Sequence, residues 1–186
     1  MMKGLGREDG LGLVELLIYT ALTLIILSAV GGVVVSMVSV QNQVMGSANS
    51  AEQAQLISRS INAGVRNSTA VDLQVVNVSD QILRVRTASA ANTAVWSCQA
   101  WYFNAADQSL RMKTSVSSIA TPSQEQLATW TLLASGVAPV QGSTIFLLNG
   151  VKLSIIFSER VANETPIIIR TSVSQRGGVR ISAPCF

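Results

Sequence analysis

Glu15 is the residue of this sequence best placed to do chemistry. It stands five positions after Gly10, near the head of an apolar run, and residues 16–51 beyond it carry no charge. A carboxylate in hydrocarbon costs several kcal/mol unless it is paired, so an acid in such a place marks a function by default. Its natural partner is a cation. Cleavage after Gly10 would make one, the free amine of Leu11, and would put Glu15 at the fifth position of the product. Cys98 and Cys185 are the other reactive pair, with none of the close spacing of a metal site. A disulfide suits a head outside the cytoplasm, and two separate buried thiols are the alternative. As a bridge the pair would close a long loop, worth roughly 4–5 kcal/mol on the chain-entropy argument.

The residues also exclude chemistry. The chain has no histidine, so it lacks the usual general base and the commonest metal ligand. No Ser/His/Asp or Cys/His arrangement can be built. Asp72, Asp80, Asp107, Glu125, Glu159 and Glu164 are scattered and form no calcium loop. No glycine-rich phosphate loop is followed by a lysine. These absences point to a non-enzymatic protein with no cofactor and no metal. A net charge of +3 is too small and too dispersed to argue for nucleic acid by itself.

The element that must position Glu15 is a long helix. The chain has 186 residues and a mean hydropathy of +0.41, with the apolar excess concentrated near its start. About 20 apolar residues cross a bilayer, and residues 11–37 are enough. Lys3 and Arg7 precede the span and favour a cytoplasmic leader, which places the bulk of the chain outside. An ordinary secretory signal has its cleavage site after the apolar core. Here the polar leader "MMKGLGREDG" ends in Gly10 and the apolar run follows it.

This order, "G-LGLVELLIYTALTLIIL" with an acid five residues past the glycine, resembles the prepilin signal of type IV pilins and type II secretion pseudopilins. Leu11 stands where that family most often has Phe. The resemblance implies that a prepilin peptidase cuts after Gly10 and methylates the amine of Leu11. It implies that this amine meets Glu15 of a neighbouring subunit and sets the register of a filament. The partners implied are other pilins and an inner-membrane assembly platform. Many pilins have a proline in mid-helix. This chain has Gly31 and Gly32 there, which reads as local softening or as close helix packing.

After Val40 the pattern becomes amphipathic. Val44, Ala48, Ala51, Ala54, Ile57 or Ser58, Ile61 and Val65 recur at helical spacing, and the helix is expected to end near Gly64. From residue 11 to 63 it would run about 80 Å. The predicted organisation is a leader over residues 1–10, a transmembrane and assembly helix over 11–40, its amphipathic half over 41–66, and a head over 67–186. The segment "LISRSINAGVRNSTAV" and the closing "IRTSVSQR" resemble minor pilins of the PulJ/PilW kind, which favours a minor over a major subunit.

In the head the period falls to two. "LQVVNV" and "ILRVRT" flank Ser79-Asp80-Gln81 as a hairpin. "AVWSCQAWYFN" and "SLRMKTS" make a second, and "STIFLLNG" with "VKLSIIFSE" a third around Asn149-Gly150. Residues 115–126 read as a loop, "ATWTLLAS" as a strand, and "TPIIIRTSVSQR" as the last clear strand before Gly177-Gly178. The fold expected is α+β, a pilin-like long helix packed on one antiparallel sheet of six or seven strands. Cys185 would tie the closing segment to Cys98. Trp96, Trp101, Tyr102 and Phe103 share a strand whose alternation sends part of them into the core. Arg170, Arg176 and Arg180 gather near the end with few acids beside them, a candidate contact for DNA or a surface ligand. Strand-edge protection and subunit contact are the competing readings.

Overall fold

The computed structural model describes residues 12–88, 96–160, 166–176 and 185–186. Helix α1 is a continuous 54-residue helix, Leu13–Arg66, with no proline to interrupt it. Arg66 sits in its last turn, where a cation complements the helix dipole. Ser68 then donates its hydroxyl to the Val65 carbonyl (2.7 Å) as the chain turns into the first strand. Two compact units meet within α1, Met1–Val44 and Met45–Phe186.

The second unit is the α+β head. Its strands are β1 (Ser68–Val76), β2 (Asp80–Ala88), β3 (Trp96–Asn104), β4 (Ser109–Ser115), β5 (Thr131–Ser135), β6 (Val137–Pro139), β7 (Phe146–Asn149), β8 (Lys152–Glu159) and β9 (Ile167–Ser174), with a short helix α2 (Gln124–Ala128) before β5. All pairings are antiparallel. Ala54, Ile57, Ile61 and Val65 of α1 are buried with Leu83, Val85, Trp101, Phe103, Phe146, Ile155 and Phe157 in one core. The stripe of α1 therefore packs on an antiparallel sheet head. It is narrower than its apolar spacing suggests: Val44 and Ala48 are exposed. Gly64 marks the tightest approach, since a Cβ there would collide with the Trp101 ring. One turn earlier, the Trp101 indole donates to Ser60 Oγ (3.2 Å).

The head holds two sheets where the periodicity suggested one. The first runs β1-β2-β3-β4-β5; in the second, β8 is central, with β6 and β7 on one side and β9 on the other. The division falls at Gly136, which adopts φ 78° and whose Cβ position is filled by the Arg160 carbonyl oxygen. Only glycine fits this crossing, which lifts the chain off the β5 edge and onto β8. Gln81 joins the sheets. Its buried amide donates to the Phe146 carbonyl (2.9 Å) and accepts from the Ile145 and Phe146 N–H groups (2.7 and 2.9 Å).

Two local readings also shift. The first hairpin turns at Asn77, in the left-handed region at φ 57°, ahead of Ser79-Asp80-Gln81. The stretch expected as loop and then strand holds α2, because Ser123 and Gln126 form a reciprocal capping box that starts a helical turn.

Candidate assembly site

Glu15 lies in the first turn of α1, where the Glu15 and Leu16 N–H groups both bond the Gly12 carbonyl (2.9 and 3.2 Å). A carboxylate in a first turn is favoured by the helix dipole. Glu15 is exposed, and among the described residues no cation pairs with it. Gly10 and Leu11, the cleavage point and the amine expected beside it, lie outside the described residues.

The helix that follows is apolar all round and uncovered. Within the first unit each side chain of residues 13–44 is exposed, Leu24 and Ile25 at 65% each. Three of its hydroxyls bond back to the helix backbone. Thr20 and Thr23 bond the Leu17 and Tyr19 carbonyls (2.9 and 2.7 Å), and Ser28 bonds the Leu24 carbonyl (2.9 Å). Hydroxyls closed back on their own helix can enter hydrocarbon without stranding a donor. α1 is long and apolar enough to cross a membrane once near its start, which is consistent with a single anchor. It runs unbroken through Gly31 and Gly32, and nothing lies within 4 Å of either Cβ position.

Strand β3 is buried on both faces: Trp101 and Phe103 enter the main core, while Cys98, Ala100 and Tyr102 join Ile82, Ile119, Leu127 and Trp130 on the other side. A disulfide links Cys98 to Cys185, with Cα atoms 5.4 Å apart, and the Ile119 N–H bonds the Cys185 carbonyl (3.0 Å). Tyr102 donates to Asp80 Oδ2 (3.0 Å). Burial first, then this hydrogen bond and the nearby Asp80 and Asp107 charges, push the Tyr102 hydroxyl up to about 12.

Around that second cluster lie cations that the linear reading passed over. Arg84 bridges Asp72 (2.6 Å) and approaches the Phe186 ring, 5.8 Å to its centre. The Arg86 guanidinium stacks on Trp96 at 3.9 Å, and Lys113 lies 5.8 Å from the Trp130 ring centre. The register puts Arg84, Ala100 and Lys113 in one row across three strands, with Arg111 beside Tyr102. The signal was present in "RVR" and "RMK", alternating cations on adjacent hairpins that period two sends to one face. A cleft of about 320 Å³ opens between Lys113, Ile119, Glu125 and Trp130.

Of the arginines picked from the sequence, Arg170 and Arg176 fall on described residues. Arg170 is exposed on β9 opposite Ile156, and Arg176 is exposed two residues past that strand, its N–H on the Arg66 carbonyl (3.4 Å). Arg180 lies outside the described residues. Among the described residues no group of three or more His, Cys, Asp or Glu side chains could hold a metal. Compared with known proteins, the chain matches no family model, no curated protein and no solved structure.

Proposed function

We propose that the chain is a minor pilin or pseudopilin, a structural subunit that initiates or enters a type IV pilus-like filament after a prepilin peptidase cuts behind Gly10. The observation that carries this reading is the change along α1. Its first unit has apolar side chains on all sides and no protein cover, while its last turns are seated on an antiparallel head. Glu15 stands at the open end of that uncovered run. In this reading lipid covers the run before assembly, and neighbouring helices cover it afterwards. The methylated amine of Leu11 and a neighbour's Glu15 form the pair that fixes register, with the head outside the cytoplasmic membrane. Other pilins and the inner-membrane assembly platform are the partners.

Mass spectrometry of the mature N-terminus tests the processing: the reading expects Leu11, methylated. An uncut chain beginning at Met1 supports instead a single-pass anchored protein unrelated to filaments. A Glu15→Gln variant, correctly trimmed, is expected to stay in the membrane and fail to enter filaments. Entry at the parental level defeats the register role.

A second reading makes the head a tip adhesin or DNA-uptake receptor of the same kind of filament. The row of cations and aromatic rings on the outer face of β2–β4 favours it. Salt-sensitive retention of DNA by the full chain in detergent, lost in Arg111→Ser/Lys113→Ser, would support it.

A further inference from the structure

Glu159 is the one acid of the described head with no exposure at all. It closes β8, whose alternate residues Leu153, Ile155 and Phe157 face the core, and its side chain follows them inward. Neither carboxylate oxygen has a hydrogen-bond donor among the described residues. Its ladder partners are Val137 on β6 and Ile167 on β9, both apolar. The place is the seam between the sheets. The Arg160 N–H bonds the Gly136 carbonyl (3.1 Å) just beyond it, and the Val137 N–H reaches across to the Gln108 carbonyl (2.8 Å) of the first sheet's β3–β4 turn.

We propose that Glu159 is a pH-sensitive latch on this seam: neutral, it lets β6 close against β8, and ionised, it drives β6 and the Gly136 crossing open. An acid without donors is tolerated in an apolar site as the neutral carboxyl, and its anion is not. Among the described residues no neighbouring charge offsets the burial. β6 carries no titratable side chain. On β9 the titratable group is Arg170, opposite Ile156 on the outer face. On β8 Lys152 is exposed at the far end, and Arg160 next to the acid is exposed. The buried face of α1 is Ala54, Ile57, Ile61 and Val65, with Glu52 and Arg59 exposed. The β3–β4 turn brings Asp107, also exposed.

Burial pushes the Glu159 carboxyl up to about 7. The closed seam then holds a proton that the opened one releases. Its stability is full below the ordinary carboxylate range, declines as pH rises through that range to about 7, and is level above. The opening constant should grow roughly 30-fold between pH 5.5 and 8.5. The latch depends on head geometry and stands apart from the filament reading.

Hydrogen exchange on the full chain in detergent micelles tests it, with rates corrected for intrinsic pH dependence. Amides of β6 and of the last residues of β8 are expected to lose protection between pH 5.5 and 8.5, while those of β2 and β3 hold theirs. Glu159→Gln is expected to give a pH-independent, protected seam, and Asp107→Asn the parental profile. Equal protection at both pH values in the parent, or a Glu159→Gln profile matching the parent, overturns the proposal. If the variant does not fold, carboxyl carbon NMR of the parent decides: a Glu159 midpoint near 7 supports the latch, and one in the ordinary carboxylate range ends it.

Discussion

Residues 13–40 of α1 and the last four turns of the same helix differ in what their apolar side chains touch. In the first stretch Leu, Ile and Val point in every direction and meet no protein. In the second, Ala54, Ile57, Ile61 and Val65 form one buried stripe, and the opposite side, with Glu52, Leu56 and Arg59, is exposed. Backbone hydrogen bonding is the same along both. What differs is the surroundings each stretch is composed for: an apolar medium supplied from outside, against a sheet supplied by the chain itself. Stability of the head and occupancy of the membrane should therefore respond to separate mutations.

The largest expected effect lies in the head. Trp101→Ala removes a fully buried ring that sits under Gly64 and bonds Ser60, and should destabilise the head by about 3–5 kcal/mol. Denaturant unfolding of the full chain in micelles measures it. The fraction of chain in the membrane should not change, and loss of both together would break the comparison. The converse is Ile26→Arg, which places a charge mid-span at a cost of about 3 kcal/mol to insertion. Membrane fractionation should show the loss, while the head of the chains that do insert keeps its disulfide and its unfolding midpoint.

A smaller effect separates the two sheets within the head. Gln81→Leu strands the Ile145 and Phe146 N–H groups and should cost about 2–4 kcal/mol. Exchange of the Phe146 amide should rise more than that of the β1–β2 amides. The smallest effect is in the apolar first unit of α1. Gly32→Ala meets no atom within 4 Å and should add about 1 kcal/mol of helix stability, read by circular dichroism in micelles. Impaired filament entry by this more helical variant would assign Gly32 to softening or to close approach between subunits.

How much of this was legible in the sequence follows the range of the interactions. The long apolar helix, its uncharged span and the hairpins around Ala105–Gln108 and Asn149-Gly150 are local patterns, and the α+β arrangement of helix and antiparallel head is what they gave. The stripe was readable from Ala54 onward; Val44 and Ala48 shared its spacing and are exposed. The division into two sheets was not readable, since alternation announces a strand without naming its neighbour. Gly136 looked like any loop glycine until the Arg160 carbonyl filled its Cβ position. Gln81 looked like a turn residue, and Glu159 like one more scattered acid; burial is a property of the assembled layers. The cations of β2 and β4 were visible as letters and became a surface once the register aligned them.

The Cys98–Cys185 bond has one more consequence. The two sulfurs are 87 positions apart, and between them lie β4 to β9 and every connection among them. A single proteolytic cut anywhere in that interval yields two pieces that stay fastened to each other. Such a nicked molecule would run at full mass on a gel without reductant and fall into fragments once reductant is added.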